Sequence, residues 1–158
     1  MFYITDLIIV GFTYLFMTSF ENSLHYLSHS HKYGYRLHRW HKLHHIDYPP
    51  HRVQSTKYIN TGGGILQNMF LFWILIAWSC VYLVSSNRTF IIFIIEAPLY
   101  TISIDYFHEQ YHIEESYWKK YKWFRKHRDY HLMHHENHKL NMNFVDPTFD
   151  KLRGISCE

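Results

Sequence analysis

Long apolar runs alternate along this chain with segments dense in histidine, lysine and arginine. Residues 65–84 (ILQNMFLFWILIAWSCVYLV) carry no charge over twenty positions. At about 1.5 Å per residue, ~20 helical residues cross a ~30 Å hydrocarbon core. Both faces of such a helix are apolar and no polar stripe is left for water, so the run predicts a membrane span rather than a helix of a soluble bundle. Residues 90–107 (FIIFIIEAPLYTISIDYF) form a second run, interrupted by Glu96, Pro98 and Asp105. Glu96, beside Pro98 near the outer end, reads as a kink or a snorkelling acid. Residues 2–20 form a third run with Asp6 near its outer end, and its helix is expected to reach about residue 24. This segment has no positive leader and no small-x-small site before Glu21, so it reads as a retained span and not a cleaved signal.

The connectors set an expected orientation. Only residues 85–89 separate the runs 65–84 and 90–107, which predicts a helical hairpin whose turn carries one charge, Arg88. Lys32, Arg36, Arg39, Lys42, Arg52 and Lys57 lie in 30–60, and Lys119, Lys120, Lys122, Arg125, Lys126 and Arg128 follow residue 115. Positive residues near span ends mark the cytosolic side. The N-terminus and the 85–89 turn, with its sequon Asn87-Arg88-Thr89, are therefore expected outside, and residues 25–60 and 108–158 inside. Beside spans, lipid headgroups are a better match for these cations than nucleic acid. Tyr48-Pro49-Pro50 is expected to stop the helix that carries His45, and Gly62-Gly63-Gly64 to form a flexible lead into the second span.

Composition changes this picture little. The mean hydropathy of −0.27 suits a soluble protein, but 15 histidines and 14 tyrosines depress an average that hides the apolar blocks. Sixteen Lys and Arg against thirteen Asp and Glu give a net charge of +3, and aromatic residues make up 20% of the chain. That aromatic content excludes a disordered polypeptide, and two cysteines, Cys80 and Cys157, exclude a disulfide framework. The expected fold is all-α, one domain over residues 1–158. It is an integral-membrane helical bundle of about three transmembrane helices, with a cytosolic helical cap carrying the histidines of 25–45 and 108–135.

Those histidines are patterned. His25 and His29 are spaced HxxxH, and so are His108 and His112. His41, His44 and His45 read HxxHH, as do His131, His134 and His135. On a helix, positions i and i+4 share one face and i+3 flanks it, so each cluster aims its imidazoles in one direction. Between His45 and His108 the expected topology crosses the bilayer twice, which returns all four clusters to the same side. Neutral imidazole ligates Fe, Zn, Cu and Ni. Ten such ligands overfill one ion, whereas two ions with about five nitrogens each keep an open position apiece. Glu21, four before His25, and Asp105, three before His108, are candidate acceptors for the second ring nitrogen; the alternative is that both acids face water at the headgroups. His31, His38, His51, His127 and His138 fit no repeated spacing and read as surface or supporting residues.

The stretches HYLSH (25–29), WHKLHH (40–45), HEQYH (108–112) and YHLMHH (130–135), followed by ENHKLNMNFVDPTFDKLRG (136–154), resemble the fatty acid hydroxylase / sterol desaturase superfamily of membrane di-metal oxygenases. The wording around YHLMHH leans toward its fatty-acid and ceramide hydroxylases, with carotenoid ring hydroxylases also similar. The resemblance implies two non-haem irons, for which zinc can substitute, reacting with O2 at an unactivated C–H of a fatty acyl, sphingolipid, sterol or carotenoid lipid. It assigns His25, His29, His41, His44, His45, His108, His112, His131, His134 and His135 as ligands. It also implies residence in the endoplasmic reticulum if the source is eukaryotic. The chain departs from the pattern in having one span before the first box where many members have two.

Aliphatic hydroxylation needs a redox metal that activates O2, and imidazole-rich sites with open positions suit iron. Phe70, Phe72, Trp73, Trp78 and Phe93 are candidates to line a lipid slot, or else pack and face lipid. No GxGxxG, haem or flavin signature occurs, so the electrons are expected from a partner, a small haem carrier or a ferredoxin with its reductase. The segment YWKKYKWFRKHR (117–128) reads either as a docking face for such an acidic carrier or as an interfacial segment on anionic lipid. Two other readings of the chain are a non-redox membrane zinc protein and an inactive structural member of the family.

Overall fold

The computed structural model describes residues 4–60 and 69–157, with side chains described outside 69–74. The Gly62-Gly63-Gly64 lead, residues 65–68 of the 65–84 run, and the side chains of Phe70, Phe72 and Trp73 lie outside the described residues. The described chain is all-helical: α1 (Ile4–Ser28), α2 (His31–Asp47), a 3-10 turn (Pro50–Arg52), α3 (Met69–Val84), α4 (Asn87–Tyr111), a second 3-10 turn (Tyr117–Lys120), α5 (Lys122–Glu136) and α6 (Thr148–Leu152).

Local chemistry sets the boundaries. Ser30 caps α2, accepting from the Tyr33 N–H, so α1 and α2 form a corner. Gly34 is required there, because a Cβ on it would lie 2.3 Å from the Leu27 carbonyl oxygen. Helix α2 kinks at Tyr35, where φ is 42°, and ends at Asp47 ahead of Pro49-Pro50. Ser86 caps α4 by accepting from the Thr89 N–H, which closes the α3–α4 hairpin, and α4 runs unbroken through Pro98.

Helices α1 and α4 are both long and apolar enough to cross a membrane, and they lie parallel. At one end Arg88 makes a bidentate ion pair with Asp6, both bonds 2.6 Å. Further along, the Tyr100 hydroxyl donates to Glu21 at 2.6 Å, and at the far end His25 and His108 sit in the same cluster of rings. Asp6 and His25 are about 28 Å apart along the helix at 1.5 Å per residue, close to a hydrocarbon thickness. The apolar contacts between helices are Met17, Phe93 and Ala97, with Ala77, Trp78, Val81 and Tyr100 packed around them. The polarity is inverted relative to a soluble bundle. Asp6, Thr13, Thr18, Glu21 and Asn22 are buried, while Ile4, Leu7, Ile8, Phe12, Ile91, Ile95, Leu99 and Ile102 are exposed.

The segment after α5 folds back along α1. Asn141 adopts a positive φ of 54°, and its side chain donates to the Tyr130 carbonyl at 2.9 Å and accepts from the Cys157 N–H at 2.8 Å. Asp150, fully buried, accepts from Asn22 Nδ2 (2.6 Å), the Tyr130 hydroxyl (2.8 Å) and the Asn143 N–H (2.7 Å). The Asn143 side chain reaches the Thr18 carbonyl at 3.0 Å, and the Tyr14 hydroxyl donates to Asp146 at 2.9 Å. The tail is thereby pinned to α1 and α5 together.

Candidate metal centre

The structure brings the ten patterned histidines together at the C-terminal ends of α1 and α4, in two groups of five. Group A is His25, His29, His41, His45 and His134. Group B is His44, His108, His112, His131 and His135. Within each group one nitrogen per ring lies within 4.8 Å of all the others. The α1 pair belongs wholly to A and the α4 pair wholly to B, but both HxxHH triplets divide. His41 and His45 share one helical stripe and face A while His44 faces B; His131 and His135 share a stripe and face B while His134 faces A. Neighbouring residues point ~100° apart on a helix of 3.6 residues per turn, so one triplet reaches two sites. Helices α2 and α5 thus stitch the groups into one cage.

The nitrogen spacings are compatible with a bound metal ion in each group. In A, Nε2 of His41 lies 2.8, 2.9 and 3.1 Å from Nε2 of His29, His45 and His25, and His29 is 3.0 Å from His134. In B, the Nε2 pairs His112–His131, His44–His108, His131–His135 and His44–His135 are 3.0, 3.2, 3.2 and 3.3 Å apart. Nitrogens bonded at ~2.1 Å to one ion are ~3.0 Å apart when adjacent in an octahedral arrangement and ~3.4 Å in a tetrahedral one. The observed edges, 2.8–3.1 Å in A and 3.0–3.3 Å in B, fall in the range of nitrogens that share one ion. Hydrogen bonding does not explain them, because one N–H on His41 cannot serve three Nε2 neighbours.

Backbone carbonyls fix the tautomers. His25 Nδ1 donates to Met142 O (2.5 Å) and His134 Nδ1 to Leu140 O (2.7 Å). His112 Nδ1 donates to Val53 O (2.7 Å) and His135 Nδ1 to Tyr48 O (2.8 Å). Each such bond leaves Nε2 with a bare lone pair directed into the cage, the arrangement by which outer partners orient metal-binding imidazoles. The groups differ in the source of these carbonyls: A draws them from the tail at 140–142, and B from the segment 48–53. Nδ1 of His44, His45 and His131 is buried with no hydrogen-bond partner, and ring packing holds these side chains instead.

Burial keeps the cage uncharged. Desolvation, with the neighbouring imidazoles adding repulsion, holds His41, His44, His112 and His131 well below the usual histidine range. The same burial brings His134 and His135 down to about 3. All six are neutral at pH 7 and carry the lone pair that a metal requires.

Two expected supporting contacts are not made. Glu21 does not accept from His25, because the extended tail slides between them and supplies the Met142 carbonyl. Its carboxylate instead accepts from the Tyr100 hydroxyl and, at 2.6 Å, from the Phe144 N–H, so it positions the tail. Asp105 makes no hydrogen bond to His108 among the described residues; it lies with Glu109 close enough to Tyr58 to influence that phenol. Sequence spacing also misses His138, whose ring lies 4.2 Å from His45 and 5.4 Å from His29. It follows the end of α5, so no helical register points to it. Of the other four histidines, His38 Nδ1 donates to the Ser28 carbonyl oxygen at 2.9 Å, and none of His31, His51 and His127 joins either group.

No family of known proteins, no curated protein and no solved structure matches this chain.

Proposed function

We propose that this protein is an integral-membrane, O2-dependent di-iron oxidoreductase that hydroxylates or desaturates an aliphatic C–H of a lipid, with one iron in each histidine group. The observation that carries the reading is the pair of five-histidine groups, each with one nitrogen per ring within 4.8 Å of all the others. A zinc hydrolase site holds three protein ligands and a water, and two groups of five neutral imidazoles exceed that.

Iron bound there would supply the O2 activation and electron transfer that side chains lack. Hydroxylation balances as RH + O2 + 2e⁻ + 2H⁺ giving ROH + H2O, and desaturation as loss of two hydrogens with two waters formed. The residues of the chain orient, insulate and exclude. The four carbonyl-anchored imidazoles hold their Nε2 atoms inward, and burial of His112, His131, His134 and His135 at 0% exposure keeps water from competing for those rings.

Exposed isoleucine, leucine and phenylalanine on α1 and α4 around buried polar residues support insertion in a bilayer, since soluble monomers rarely expose so contiguous an apolar surface. We place three spans, α1, α3 and α4, with the cage at the cytosolic face by the charge rule and, in a eukaryote, in the endoplasmic reticulum. A lipid chain then stays in the bilayer while its reactive carbon reaches the cage. Electrons come from a small haem carrier or ferredoxin with its reductase. Lys119, Lys120 and Lys122 are exposed beside Tyr117, Tyr121 and Trp123, a surface that suits an acidic carrier or anionic headgroups.

The test is anaerobic purification with metal analysis, followed by O2 and a reductant. Two irons per chain, bleaching on O2 addition, with a lipid product gaining one oxygen or losing two hydrogens, support the proposal. One zinc, no iron uptake and no O2 consumption refute it.

A further inference from the structure

Among the described residues, a single aromatic side chain from outside the histidine set is shared between the two groups of the cage. The Phe144 ring stacks on His25 of group A, with centroids 4.7 Å apart and planes at 18°, and lies 4.6 and 5.1 Å from His108 and His131 of group B. Its backbone is held between Glu21 of α1 and Tyr111 of α4. The N–H donates to Glu21, one turn before His25, and the carbonyl accepts from the Tyr111 hydroxyl at 3.4 Å. Glu21 is itself bound by Tyr100 of α4. Both long helices therefore fix the position of this ring, and none of those contacts involves its side chain. The ring is only half-buried, so it borders both the imidazoles and the space beside the helices.

We infer that Phe144 is the stop that closes the histidine cage against the apolar bundle and sets how far an aliphatic chain reaches toward the two ion positions. The inference rests on the two-ion reading and adds to it the direction of approach, along α1 and α4 past the 142–146 segment, and a substrate end that is linear and apolar. An alkyl chain meets this ring, and the volume of residue 144 limits its depth.

Cobalt(II) as the probe metal tests this without turnover, because a thiolate bound to it gives a charge-transfer band. The full-length chain in detergent is loaded with cobalt and titrated with dodecanethiol and with 2-mercaptoethanol. Phe144→Ala is expected to bind dodecanethiol about tenfold more tightly, the gain from burying about two further methylenes, with 2-mercaptoethanol changed by less than about twofold. Phe144→Trp is expected to weaken dodecanethiol alone, and both variants to keep the wild-type cobalt content. Should Phe144→Ala lose metal by misfolding, Phe144→Leu and Phe144→Trp carry the comparison. Cobalt uptake with parallel changes for the two thiols, or with none, overturns the role of Phe144. Failure of the wild-type chain to take up cobalt overturns the two-ion reading itself.

Discussion

Replacing Asp150 with alanine separates the two histidine groups. The carboxylate is fully buried and accepts three hydrogen bonds, from Asn22, Tyr130 and the Asn143 backbone. Asn22 keeps a second acceptor, Asn143 Oδ1 at 2.7 Å, whereas the Asn143 N–H and the Tyr130 hydroxyl lose their principal partner. Leaving a buried donor unsatisfied costs ~1–3 kcal/mol, more where the lost acceptor was charged, so Asp150→Ala is expected to cost about 4 kcal/mol. The larger consequence is directional. Asp150 anchors the tail whose Leu140 and Met142 carbonyls orient His134 and His25, both in group A. Group B takes its carbonyls from Tyr48 and Val53, which this tail does not hold. Loss of such outer contacts weakens metal binding by ~10–100-fold. Anaerobic Fe(II) titration of Asp150→Ala should therefore show one ion bound as in wild type and a second weakened to that extent. Equal weakening of both ions, or an unchanged titration in a folded variant, refutes the assignment of the carbonyls to separate groups.

Single-ligand variants should act by group: His134→Ala and His44→Ala each remove one ion of two, from A and from B, while His51→Ala retains both, as metal analysis will show. Gly34→Ala forces its Cβ against the Leu27 carbonyl and should cost about 2 kcal/mol of stability, with weaker uptake in both groups because α2 supplies His41, His44 and His45; chemical denaturation and metal titration read the two effects. The metal-free protein should lose stability in acid. His134 and His135 titrate near 3 when folded and near 6.5 when unfolded, so between those values the unfolded chain binds more protons and stability falls as pH falls. From pH 7 to 5.5 the two together account for about 2.5 kcal/mol, and a thermal midpoint that is flat or rising over that interval contradicts their burial as neutral rings.

Much of the cage was legible because helical spacing is a side-chain property. HxxxH and HxxHH could be read as directed stripes, and the structure has α1 and α4 parallel with all four clusters at one end. The division of each triplet between two centres follows from the same 100° step, yet only the placement of both centres reveals it. What supports the imidazoles was not legible. Any residue can offer a backbone carbonyl, so Tyr48, Val53, Leu140 and Met142 leave no mark in the sequence. Carboxylates do leave one, and Glu21 and Asp105 drew attention for that reason. Glu21 acts one step further out, through Phe144 and the tail. Asn141, Asn143 and Asp150 stand out as an Asn-rich segment, but the pinning of that segment to α1 depends on contacts more than a hundred residues apart.

The two-ion cage is tested most directly by anaerobic Fe(II) titration of the wild-type chain combined with X-ray absorption at the iron edge. Saturation at two ions per chain, with a first shell dominated by imidazole nitrogen, is the expected result. Saturation at one ion, or a shell dominated by oxygen, contradicts it.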